Sequence, residues 1–210
     1  KEALKNNVLI TKNDDYVKGV LSNNLNRYDV RLRLKGDYID HIVSNQWSFR
    51  VKVSKNKSIY GMRKFSLQAP RTRGYIHEWV YHKLLKKENI PGLKYKFVEL
   101  TINGKNKGIY AIEEHFDKIL VESNKYREGP ILKFSEEHLW DPTLKNRTSY
   151  INDNDIQDSN ILPFQEKKIN SNEVLKYQYE KGKSLLQEYI RGNISTSDAF
   201  DSKSLAKFLA

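Results

Sequence analysis

Three charged positions stand in an order that could handle a phosphate group: Lys64 on a short alternating run, Glu78 fourteen residues on in a helical one, and the Glu113-Glu114 pair at the end of a hairpin. A strand lysine offers an anion a compact point charge, and a glutamate on the following helix keeps the lysine's flexible stem from wandering. Folds that transfer phosphoryl groups from ATP use this order of parts, with backbone groups at the junction that follows holding the adenine ring. On spacing alone the same residues also suit an ordinary surface lysine and ordinary surface acids.

The surrounding charge is lopsided. Between Val51 and Tyr110 there are fourteen Lys/Arg and three acids, so this stretch carries the whole of the chain's net charge of +11. Such a field favours an anionic partner, although a solvated surface accounts for it equally well. Nucleic acid is a weaker reading, resting on Tyr75, Trp79, Tyr81, Tyr95 and Phe97 interleaved with the basic residues, several of which the pattern assigns to the core.

Other chemistries lose their support. His77 and His82 are five apart and diverge on a helix, whereas zinc needs two histidines four apart on one face. No Gly-x-Ser-x-Gly, Walker loop or Gly-x-Gly-x-x-Gly occurs. With no cysteine, disulfides and thiolate nucleophiles are excluded, and no apolar run reaches the roughly 20 residues that span a bilayer.

The elements that must position these groups follow from periodicity. Tyr28–Lys35 alternates, with Val30, Leu32 and Leu34 on one face and Arg31, Arg33 and Lys35 on the other. Trp47–Val53 sets Arg50 and Lys52 opposite Phe49, Val51 and Val53, and Lys64–Gln68 makes a third strand that Pro70 stops. Tyr75–Lys87 reads as a helix with Ile76, Val80 and Leu84 as its core stripe, Trp79 beside them, and Glu78 and His82 off that stripe. Asn103-Gly104 predicts a tight hairpin between Phe97–Ile102 and Gly108–Ile112, followed by a helix over Glu113–Glu122 and a strand over Gly129–Phe134. The pattern dissolves from Ser135, and helix resumes at Asn172 or Glu173.

At 210 residues with 38% hydrophobic content the chain can bury a core. The expected class is α+β, with a sheet-rich lobe over 1–134, a loop-rich linker over 135–171 and the start of a helical lobe over 172–210. Lys1–Lys5 has neither initiator Met nor signal-peptide core, and the last helix aligns Leu205, Phe208 and Leu209 without a stop signal. A longer parent protein is therefore expected.

Arg31-Leu-Arg-Leu-Lys-Gly-Asp37, His41, Trp47-Ser-Phe-Arg50, Lys64-Phe-Ser-Leu-Gln-Ala-Pro70, Glu78-Trp79 with His82, Val98-Glu-Leu100, Asn103-Gly104 and Gly108-Ile-Tyr-Ala-Ile-Glu-Glu-His-Phe-Asp-Lys118 together resemble the CotH kinase family, over about Tyr28 to Trp140. The resemblance implies a reduced, atypical protein-kinase-like fold and ATP-dependent phosphorylation of Ser on secreted, surface or spore-coat proteins of bacteria, at the cell envelope, in the spore coat or outside the cell. By position it makes Lys64 the phosphate-contacting lysine, Glu78 its helix partner, Glu113-Glu114 the hinge beside adenine, and Arg33 and Lys35 further phosphate-side candidates. The family's catalytic and magnesium-binding aspartates fall in a segment beginning with a helix like Ser204–Ala210, so the Mg ligands are expected beyond Ala210 and the chain by itself is expected to be inactive. Asp141, Asp153, Asp155, Asp158, Asp198 and Asp201 read as turn or cap residues. The alternative is a non-catalytic coat or envelope assembly module that binds acidic protein or polymer through its basic face.

Overall fold

A computed structural model describes residues 2–6, 9, 11–23, 26–36, 39–54, 56–135 and 160–209. They fall into two compact units, Lys1–Lys87 with Gly92–His115, and Glu88–Pro91 with Phe116–Ala210.

The first unit is built on a curled antiparallel sheet. After a short helix α1 (Glu2–Asn6) come β1 (Val17–Asn23), β2 (Asn26–Leu34), β3 (Phe49–Val53) and β4 (Lys64–Gln68); α2 (His77–Lys87) precedes β5 (Tyr95–Ile102) and β6 (Lys105–Glu114). The six strands are ordered β1-β2-β3-β4-β6-β5. The alternation read from the sequence sets the register: Val30 lies opposite Val53, Leu32 opposite Val51, Val51 opposite Phe65 and Leu67 opposite Ile112. Those residues, with Ile59, Met62 and Tyr110, form one apolar core on one face of the sheet. The opposite face takes the intervening polar side chains of β2, β3 and β4.

Two turns depend on backbone freedom. Asn103 (φ 50°) and Gly104 (φ 77°) are both left-handed, as a two-residue hairpin turn demands. Gly36, directly after β2, has φ 126°, and a Cβ there would stand 2.3 Å from His41 Cδ2. Gly36 therefore lets the chain turn under the buried His41 just where Lys35 must be held.

Two expectations are corrected. Glu113 and Glu114 are the last residues of β6, paired with Ser66 and Phe65, and do not start a helix. Ladder pairing overrides helical propensity there, and α3 begins only at Lys118, capped by Asp117, whose Oδ1 accepts from Ile119 N–H (2.9 Å). In α2 the stripe Ile76, Val80 and Leu84 is 59%, 38% and 55% exposed, while Leu85 is buried. The helix turns its 78-82-85 side inward instead, with His82 against Tyr95 of β5 (ring centroids 5.8 Å apart). Strand β1 had no clear alternating signal and is held by pairing along its whole length with β2.

The second unit contains α3 (Lys118–Ser123), a two-stranded sheet of β7 (Leu132–Ser135) and β8 (Asn160–Pro163), then α4 (Glu166–Asn170), α5 (Glu173–Ile190), α6 (Thr196–Ala199) and α7 (Ser202–Leu209). Ile169, Leu175 and Tyr179 form its core with Leu132, and the Tyr179 hydroxyl donates to Ile161 O (2.8 Å). Asn172 caps α5 by accepting from Leu175 N–H (3.0 Å), where the sequence placed the helix start. Strand β7 thus belongs to this unit, although the sequence drew the sheet lobe to residue 134. Most of the expected linker lies outside the described residues, and its end carries β8 and α4. Phe208 and Leu209 are exposed, and the six acids named above split: Asp198 completes a capping box with Ser195, Asp201 accepts from Ser204 N–H (2.7 Å), and the other four lie outside the described residues.

Replacing Gly36 with Ala should lower unfolding stability by about 1–3 kcal/mol in urea melts, since it combines a disfavoured φ with a steric overlap. Gly104→Ala should cost less, because its Cβ would meet nothing within 4 Å. Equal losses would show that the His41 contact does not govern the Gly36 turn.

Candidate functional site

Register turns the polar alternation into three rows across one face of the sheet. The first runs Lys18, Arg31, Lys52, Lys64 and then His115, whose N–H donates to Lys64 O (3.1 Å). The second runs Arg33, Arg50, Ser66, Glu113 and Tyr95. The third runs Lys35, whose N–H donates to Ser48 O (2.9 Å), then Ser48 and Gln68. Arg31 thus faces Lys52, Arg33 faces Arg50, and Lys52 faces Lys64, an arrangement of like charges that destabilises a bare sheet.

The inner rows converge on a buried ion pair. Lys35 Nζ donates to Gln68 Oε1 (2.7 Å) and to Glu113 Oε2 (3.2 Å), and Gln68 Nε2 donates to the same carboxylate oxygen. All three residues are buried. Burial pulls the Lys35 ammonium from its ordinary 10.5 down to about 8, against the opposing pull of Glu113. The Glu113 carboxyl stays below its ordinary value: burial raises it, and Lys35, Arg73 and Arg50 together outweigh that. Both partners are therefore charged at neutral pH.

Helix α2 closes one side of this cluster. Glu78 is half-buried and paired with Arg73 (3.4 Å); burial raises its carboxyl, Arg73 opposes, and the nearby Glu113 adds to the rise. Tyr95 is pushed up to about 12, first by burial and then by the carboxylates of Glu78 and Glu113. His82 Nδ1 accepts from Leu93 N–H (3.3 Å), which leaves Nε2 as the protonated nitrogen. His82 Nε2 and Ser66 Oγ are buried polar atoms with no hydrogen-bond partner among the described residues.

His115 sits between two cations, with Arg50 Nη1 at 2.8 Å from Nδ1 and Lys64 Nζ at 2.6 Å from Nε2. Burial, then Arg50 and Lys64, drive its pKa from 6.5 down to about 2, so the ring is neutral. A neutral imidazole has one acceptor nitrogen, and arginine is only ever a donor. Arg50 and Lys64 therefore compete for a single lone pair.

These residues pair differently from the Lys64–Glu78 arrangement that the sequence suggested. The buried lysine–glutamate contact is made by Lys35 and Glu113, while Glu78 takes Arg73 and Lys64 meets His115. Glu113 and Lys35 also act electrostatically on Glu78. Arg33 lies on the same face, donating from Nη1 to Leu34 O (2.9 Å) and to Thr11 Oγ1. Glu113 and Glu114 point to opposite sides: Glu114 is 2% exposed and accepts from Lys94 Nζ (2.7 Å) and Lys94 N–H (3.0 Å), tying β5 to β6. Sequence reasoning missed Gln68, Ser66, Tyr95 and His115. The only available signal for the first two was their position beside Lys64 on the polar side of one strand.

A family model described as CotH kinase protein matches residues 32–209. The chain belongs to that family, and at that level its function is kinase-like. No curated protein matches it. No helix among the described residues is long and apolar enough to cross a membrane.

The buried lysine fixes a sign for stability against pH. Between about 8 and 10.5 the unfolded chain holds a proton that folded Lys35 has lost, so stability rises with pH across that window. The rise should approach about 3 kcal/mol, and Lys35→Met should flatten it in denaturant melts. His115 acts at the other end: below pH 6.5 only the unfolded chain takes its proton, and stability falls as the solution is acidified. An unchanged alkaline slope in Lys35→Met would show that the lysine is not desolvated.

Proposed function

We propose that this member of the CotH kinase family carries the nucleotide side of an ATP-dependent protein serine kinase that acts on secreted, surface or coat proteins of a bacterium. One observation carries the reading: a buried lysine, held by a strand glutamate and a glutamine and flanked by a helix glutamate, at the centre of a sheet face otherwise dominated by cations. Phosphoryl transfer makes few covalent demands on a protein and rests on positioning and charge stabilisation, which is what such a face supplies.

The donor set fits a triphosphate. Arg33, Arg50 and Lys64 are charged donors on adjacent strands, Lys35 follows directly on β2, and Ser66 Oγ is a buried hydroxyl between Arg50 and Glu113 in register. In this reading Lys35 takes the phosphate-contacting role, Glu113 and Gln68 fix its stem, and Glu78 and Arg73 border the cluster. ATP would supply the phosphoryl group and a protein serine would receive it. Among the described residues no group of three or more His, Cys, Asp or Glu is placed to hold a metal ion, and no step is assigned to magnesium.

The same face would serve the alternative, a non-catalytic envelope or coat module that binds acidic polymer. Calorimetric titration with ATP separates the two. The protein should bind ATP, and added salt should weaken binding by screening the exposed cations. Lys35→Met should weaken it by about 1–3 kcal/mol and Lys64→Ala by less, the range for hydrogen bonds to charged groups. Lys105→Ala, on the β5–β6 hairpin, should change nothing. Lys94 is no neutral control, since it holds Glu114. Absence of ATP binding, or equal losses from Lys35→Met and Lys105→Ala, would overturn the nucleotide reading.

A further inference from the structure

The outer part of the first row is not needed by the nucleotide reading. Lys18 and Arg31 lie opposite each other on β1 and β2, both exposed, and Arg31 lies opposite Lys52 on β3. Lys18 and Arg31 precede residues 32–209, the span that the family model matches, and Lys52 lies within it. On the same face only Asp29, one row further out on β2, offers a negative charge among β1 to β4. Asp15, just before β1, is engaged by Lys12 N–H (2.5 Å).

Tyr16 organises this edge. Its buried ring lies 3.9 Å from Lys52 Nζ, 5.4 Å from the Arg33 guanidinium carbon and 5.6 Å from that of Arg31. The negative ring face draws three cations together at a modest gain each. It supplies no full counter-charge, so Lys18, Arg31 and Lys52 remain a line of positive charge about 10 Å long at ordinary strand spacing.

We propose that the Lys18, Arg31 and Lys52 edge is an exosite for a phosphoserine-bearing segment of the protein substrate, the product of the proposed reaction; the identity of this occupant rests on the kinase reading. Phosphoserine carries close to two negative charges and three acceptor oxygens, so one phosphate can be shared by neighbouring cations where a carboxylate satisfies fewer. Two phosphoserines two residues apart in an extended chain are roughly 7 Å apart, within the length of the row. A kinase with such a site would hold a partly modified substrate while further serines reach the nucleotide side.

The test uses a serine peptide, its doubly phosphorylated form and its doubly Asp-substituted form, titrated by fluorescence anisotropy into the protein with saturating ATP present. The phosphorylated form should bind on the order of 10-fold tighter than either other peptide, and Lys18→Ser with Arg31→Ser should remove most of that advantage. The charge-keeping pair Lys18→Arg with Arg31→Lys should retain it, and ATP affinity measured separately should be the same in both. Equal binding of the three peptides, no loss in the double Ser variant, or full displacement of the phosphopeptide by ATP would overturn the exosite. If the phosphopeptide binds as described and ATP does not bind at all, the phosphate site stands and the nucleotide reading falls.

Discussion

The register of β2, β3 and β4 is the constraint on which the sheet unit depends. Side chains alternate along each strand, so one register places Val30, Val51, Val53, Phe65 and Leu67 together in the core and Arg31, Arg33, Lys35, Arg50, Lys52 and Lys64 together on the other face. A slip of one residue would exchange the two sets and bury a block of cations in the apolar core. Burial of the apolar set therefore enforces the cationic face, and the sheet cannot have one without the other.

That enforced face works against the fold's own stability. Cations stand directly opposite one another across three strand pairs, and Lys35 is desolvated enough to lower its pKa by more than two units. Partial compensation is visible: the Tyr16 ring lies over three cations, neutral His115 lies between two, and Glu113 with Gln68 neutralises the most buried one. An all-structural sheet would use apolar or mixed-sign pairs at these positions. Natural folds tend to confine local choices that oppose stability to functional sites, which is why this face, and not the core, carries the functional proposal.

The adjacent acids Glu113 and Glu114 show how sharply burial separates like residues. One sequence step puts Glu113 among cations at the polar cluster and Glu114 under the sheet, where Lys94 fixes it through both its side chain and its backbone N–H. The first neutralises the buried Lys35 and the second holds β5 to β6. Just beyond this pair the sheet unit ends, between His115 and Phe116.

The sequence by itself determined the α+β class, strands β2, β3 and β4 with their two faces, the Asn103-Gly104 hairpin, the α5 start at Asn172 and the family, because each is a matter of local periodicity, turn chemistry or motif wording. It also singled out Arg33, Lys35, Lys64, Glu78, Glu113 and Glu114, of which all but Glu114 lie on or beside the polar face of the sheet. Which lysine meets which glutamate was decided only by tertiary structure. Lys64 and Glu78 are near in sequence, whereas Lys35 and Glu113 are 78 residues apart and meet because β4 lies between β3 and β6. The same physics explains α2: amphipathic periodicity identified a helix, but packing turned Glu78, His82 and Leu85 toward the sheet and left Ile76, Val80 and Leu84 exposed. A period tells which residues share a face. Only the neighbours present in three dimensions decide which face is covered.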